Sequence, residues 1–132
     1  MSSPCAQPAA ALRAQTCIAP DRMAHLARDV SEHVRGGFPG TYIHFDGAAP
    51  GQLSFSVRTR FARATLVAFA LDITRSPDGF TSLQSSVHHR VSGAGGALGL
   101  ELYRRYAREL ASTLARFDPL STALILDRGH TA

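Results

Sequence analysis

Hydrophobic and polar positions along the chain change period several times, and each change marks an element. In "PDRMAHLARDVSEHVRGG", Met23, Leu26, Ala27, Val30 and Val34 recur at three- and four-residue spacing, which gathers them on one face of a helix. Pro20 and Asp21 suit its start, and Gly36 with Gly37 its stop. The apolar stripe is narrow, so this helix covers something flat. Four extended runs supply the flat partner. "TYIHFDG" comes first. In "QLSFSVRTRF", Leu53, Phe55, Val57 and Phe61 alternate with Ser54, Ser56, Arg58 and Arg60, the pattern of a strand wet on one side. "ATLVAFALDITR" is apolar on both parities, as an interior strand is, and "FTSLQSSVHHRV" returns after the turn sequence "SPDG". Short reversals between all four runs predict an antiparallel meander.

From about Ala97 to Phe117, Leu102, Tyr103, Tyr106, Leu110 and Leu114 form a wide apolar stripe, with Arg104, Arg105 and Arg108 mostly opposite. Pro119 ends this second helix. The expected architecture is one α+β domain over 20–118: a four-stranded antiparallel meander sheet with an N-terminal helix and a long C-terminal helix packed on it. Residues 1–19, rich in Ala, Pro, Ser and Gln, read as a mobile tail with at most a helical turn around "PAAALRAQ". Residues 119–132, which contain "STALILD", read as a C-terminal tail or a short edge strand.

Composition narrows the chemistry. The chain of 132 residues carries a formal charge of +4, all of its basic charge from arginine, because it contains no lysine. Schiff-base chemistry, a lysine general base and a phosphate-loop lysine are therefore excluded. Cys5 and Cys17 have neither zinc-ligand spacing nor the partners of a disulfide framework, so no metal is expected and the thiols are reduced. No cofactor is expected. The N-terminal segment lacks a basic region followed by a sustained apolar run, and "ATLVAFALDI" is broken by Asp72 and falls short of the roughly 20 apolar residues of a membrane span. A cytoplasmic protein with no membrane partner is the expectation.

"SSVHHRVSGAGGALGLELYRRYAREL" raises the question of a phosphate loop, since a strand runs through glycines into a basic helix. The context of a dinucleotide fingerprint is missing: the preceding strand closes an antiparallel set, and the spacing of Gly93, Gly95, Gly96 and Gly99 matches no nucleotide-binding loop. These glycines read as a flexible strand-to-helix connector. By strand alternation His89 faces inward with Leu83 and Val87, while His88 faces outward with Ser86 and Arg90, so the pair cannot chelate one metal. No Gly-x-Ser-x-Gly elbow is present. His44 and Asp46 share a strand face with Tyr42, which leaves acid–base chemistry open.

Two long strands around a "PDG" turn, "RATLVAFALDITRSPDGFTSLQSSVHH", followed by "LGLELYRRYARELASTLARF", are similar to the C-terminal half of the START-like, polyketide-cyclase-like helix-grip domains. In that family the last helix lies across a curved antiparallel sheet and a hydrophobic ligand fills the space between. The resemblance implies that Phe55, Phe69, His89, Tyr103 and Tyr106 line a ligand site.

The leading functional expectation is a non-enzymatic module that binds a small apolar or amphipathic ligand or a protein partner. One alternative is a small cyclase- or hydratase-like enzyme in which His89 handles a proton with Tyr103 or Tyr106. Another is anion or nucleic-acid binding by Arg58, Arg60 and Arg90 on the wet sheet face, with nucleic acid disfavoured because only Tyr42 could stack there. Leu66, Ala68 and Ala70 share the wet parity, and an apolar strip of this kind in water would favour a homodimer through the outer face.

Overall fold

The computed structural model describes residues 10–37, 40–61 and 64–127; the outer parts of the two expected tails, 1–9 and 128–132, lie outside the described residues. The elements are β1 (Ala10–Thr16), α1 (Pro20–His33), β2 (Thr41–Ala49), β3 (Gln52–Thr59), β4 (Thr65–Arg75), β5 (Thr81–Arg90), α2 (Gly93–Phe117) and β6 (Thr122–Asp127). The strands form one open antiparallel sheet in the order β2-β3-β4-β5-β1-β6. The α+β class, the antiparallel sheet and the two helices hold. The strand count is corrected from four to six, and α1 is not the first element.

The two additional strands come from the expected tails. Leu12, Ala14, Thr16 and Ile18 are buried and alternate with exposed Arg13, Gln15 and Cys17, so β1 carries a period of two. Alanine and glutamine favour helices over strands, and that local preference masks the alternation. Packing overrides it, because β1 fills the space between β5 and β6. "STALILD" takes the edge-strand form and not the tail, lying in the plane of the sheet beside β1.

Both helices cover the same face. Met23, Ala27 and Val30 of α1 join Leu102, Tyr103, Tyr106, Leu110 and Leu114 of α2 in a single core with Phe55, Val57, Phe69, Leu71 and Leu83 of the sheet. The N-terminal two turns of α2 are made of the glycines expected to form a connector. A Cβ at Gly99 would stand 2.7 Å from Val67 Cγ2 and 2.9 Å from Leu66 Cβ, and one at Gly96 would collide with the Val91 carbonyl oxygen. The glycines therefore let the helix press directly onto β4 and the end of β5. That is their reason for being there, and it answers the phosphate-loop question with packing.

Three register shifts decide where side chains point. The pairing skips Asp46 in β2, Leu66 in β4 and His88 in β5. Each extra residue turns the next stretch of its strand away from strict alternation. His89 pairs with Ala68, and Arg90 pairs with Val67 of the helix side. Among the described residues, no helix is long and apolar enough to cross a membrane.

Glycine-to-alanine substitutions in α2 should separate packing from propensity. Gly99→Ala is expected to lower stability by up to about 2 kcal/mol, because overpacking costs roughly 1–3 kcal/mol against a propensity gain of about 1 kcal/mol. Gly95 has its nearest neighbours at 3.4 Å, so Gly95→Ala should keep most of that gain. Urea unfolding of the two variants beside the parent chain checks the opposite signs.

Candidate functional site

The space between helix and sheet is filled by rings. Phe55 and Phe69 stack at 5.3 Å between centroids, Tyr103 meets Phe69 at 4.8 Å, and Tyr106 lies 5.4 Å from Phe69 and 5.8 Å from Phe55. All four are at most 1% exposed. Contacts at these distances are those of a close-packed core. The Tyr106 hydroxyl donates to the Ala27 carbonyl at 2.9 Å, tying α2 to α1. Tyr103 shares a 2.6 Å hydrogen bond with Ser85, whose oxygen also accepts the Leu12 amide at 2.8 Å. This chain links α2 through β5 to β1. Burial raises the pKa of both phenols above the ordinary 10.0, with the Ser85 hydrogen bond partly offsetting the rise at Tyr103 and the neighbouring Tyr103 adding to it at Tyr106. Both phenols stay protonated near neutral pH; Tyr106 donates to Ala27, and either hydroxyl can donate in the Tyr103–Ser85 bond.

His89 is not with them. The extra residue at His88 carries His89 to the outer face beside Ala68, where it is exposed, so the sheet separates it from Tyr103 and Tyr106. The expected inward placement of His89 is corrected, and the proton-handling pair built on it is not assembled. The same shift sends Arg90 to the helix side, with its Cγ 3.1 Å from the position a Cβ on Gly96 would take. Arg58 stays on the outer face, and Arg60 lies beyond the end of β3 against Gly40. The strand pairing thus does not put the three arginines expected to bind an anion on one sheet face.

On the outer face the sequence signal "HFD" becomes an ordered group. Asp46, the extra residue of β2, accepts on Oδ1 from His44 Nδ1 at 2.8 Å, Arg58 Nη2 at 3.0 Å and Ser56 Oγ at 3.2 Å. Arg58 Nε also donates to Ser56 Oγ at 2.9 Å. A carboxylate accepts only, so His44 carries its hydrogen on Nδ1 and turns Nε2 away. The hydroxyl and the imidazole both address the carboxylate and not each other. The nucleophile-to-base hydrogen bond of a catalytic triad is thus missing, and Arg58 is neutralised by Asp46. The group is a staple between edge strand β2 and β3. His44 and His88 lie three strands apart in the sheet order and do not meet. Among the described residues, no three His, Cys, Asp or Glu side chains are placed to hold a metal ion.

The apolar strip expected beside this group is largely off the surface, with only Ala68 of its three residues partly exposed. Leu66, the extra residue of β4, lies under α2, its Cδ2 3.4 Å from where a Cβ on Gly95 would stand. Ala70 is 7% exposed within the single chain. The argument for a homodimer through the outer face rests on that strip and loses its driving force.

What the outer face does have is a groove of about 500 Å³ across β4, β5, β1 and β6, lined among others by Asp72, Thr74, Gln84, Arg13, Gln15 and Thr122. One straight row crosses it: Gln52 pairs with Asp72, Asp72 with Gln84, and Gln84 with Arg13. Gln52 Nε2 donates to Asp72 Oδ1 at 3.0 Å. Arg13 is hidden at the level of sequence because its segment reads as a tail; its place between inward Leu12 and Ala14 is the available signal.

No family model matches this chain, and no curated protein matches it. Among solved structures it is similar to a conserved protein from Geobacillus kaustophilus, at 12% identity and a TM-score of 0.41 over 86% of this chain and 98% of the other.

Two measurements check the roles of these groups. The contribution of the two buried phenols to stability should be constant up to about pH 10 and be lost above it, because the unfolded phenols ionise there while the buried ones hold their protons. The absence of lysine leaves few other groups titrating in that window. Denaturant unfolding at pH 8 and pH 11 should show the loss, and Tyr106→Phe should reduce it. Separately, Asp46→Ala should cost about 1–2 kcal/mol by releasing three donors, whereas His44→Ala should cost no more than about 0.5 kcal/mol as a half-exposed pair.

Proposed function

We propose that this protein is a non-enzymatic binding module whose recognition surface is the helix-free face of the sheet. One observation carries the reading: both helices and all four core aromatic residues lie on one side, while the groove lined by Arg13, Asp72 and Gln84 lies on the other. The helix-grip resemblance implies a ligand between sheet and helix, but Phe55, Phe69, Tyr103 and Tyr106 fill that space themselves. The outer groove falls within the ordinary range of small-molecule sites, about 300–1,000 Å³. Beside Ala14, Leu83 and Ala123, its lining among the described residues offers amides, hydroxyls and one charge of each sign, all carried on a backbone fixed by strand pairing. Among the described residues that line it, none supplies the coupled nucleophile and base of acyl-transfer chemistry, which favours binding over catalysis.

Amide spectra recorded against a collection of amino acids, short peptides, sugars and carboxylic acids test this reading. Bound compounds should shift the amides of β1, β4 and β5 around Arg13, Asp72 and Gln84 and be recovered unchanged. Shifts centred on Phe69 and Tyr103, chemical conversion of a bound compound, or no shift with any compound would each overturn it.

A further inference from the structure

Charges of opposite sign at the two ends of one cross-strand row define what the groove can hold. Asp72 on β4 and Arg13 on β1 both pair with Gln84 of β5, one from each side. Two strand spacings therefore separate their backbones, about 10 Å. Among the described residues no ion pair joins them, and Arg13 has no side-chain hydrogen bond or ion pair. Asp72, partly exposed, accepts from Gln52 on Oδ1, while Gln84 offers an exposed amide, donor and acceptor, between the two charges. The adjoining row, Thr74, Ser82, Gln15 and Thr122, is uncharged throughout.

We infer that the groove binds a short zwitterionic peptide, with its ammonium at Asp72, its carboxylate at Arg13 and its amide backbone over Gln84. The inference rests on the helix-free face being the binding surface and adds the class of ligand. The geometry selects the size. An extended chain spans about 3.3–3.6 Å per residue, so about three residues bridge the gap when the two side chains stand upright from the sheet. A single amino acid reaches one charge at a time, and a long peptide places its far terminus beyond the row. Arginine suits the carboxylate end, because its fork can take both oxygens. Opposite fixed charges also discriminate: a ligand bound in reverse meets like charge at both ends. No aromatic side chain lies among the described residues of the groove lining, so the stacking platform that bases use is not supplied by them.

The test is calorimetric titration of tri-alanine, N-acetyl-tri-alanine and tri-alanine amide into the full chain, with amide spectra in parallel. Free tri-alanine should bind most tightly, and each cap should weaken binding about tenfold by removing one charge contact. Arg13→Gln should abolish the difference between the free and amidated peptides, and Asp72→Asn the difference between the free and acetylated ones. Asp72→Asn retains a side-chain acceptor for Gln52, and Arg13 is exposed, so both variants should keep the parent unfolding curve. Equal binding of all three peptides, binding unchanged in both variants, or no binding of tri-alanine overturns the ligand class. If other compounds then still shift the amides around Gln84, the helix-free face stands as the binding surface. If none does, both conclusions fall together.

Discussion

The close approach of α2 to β4 governs the other contacts of the molecule. Gly96 and Gly99 bring the helix backbone down onto Leu66, Val67 and Val91, at distances no side chain on those positions would permit. Tyr103 and Tyr106, one and two turns further on, then reach the stacked Phe55–Phe69 pair. A helix held farther out would leave those rings unfilled space and a lost dispersion contact on every side. The same approach draws Leu66 out of the outer face, so a local packing event changes the character of the opposite surface.

Polar satisfaction in this core does more than avoid a penalty. The hydroxyls of Tyr103 and Tyr106 are engaged by Ser85 and by the Ala27 carbonyl, and Ser85 also takes the Leu12 amide. Through these few bonds α2 is tied to α1, β5 and β1, segments far apart in the chain. A binding role for those tyrosines would require opening this network, and each buried group left without its partner costs about 1–3 kcal/mol. The outer face has no such obligation. Around Gln84 its side chains stand exposed on paired strands, which is why we propose recognition on that side.

Legibility in the sequence divided along the same line. The helix stripes of α1 and α2, the four runs from Thr41 to Arg90 and the turn at "SPDG" are local patterns, and all are present. Inward placement of Phe55, Phe69, Tyr103 and Tyr106 came from those patterns. The groove was invisible, because Arg13 sits in an alanine-rich segment whose residues prefer helices, and nothing local marks it as the neighbour of β5.

Local pattern alone specified the α+β class, the antiparallel order of β2 to β5 and the positions of both helices, since alternation and helical spacing are properties of adjacent residues. The absence of lysine, the isolated cysteines and the missing nucleophile motifs likewise limited the chemistry without any coordinates. Three-dimensional packing was needed to establish that β1 enters the sheet between β5 and β6, and that Asp46, Leu66 and His88 are extra residues in their strands. A register shift costs a strand little locally and is set by what its neighbours and the covering helix accommodate. It nevertheless reverses the facing of every later residue, which is how His89 came to the open side and Arg90 to the helix.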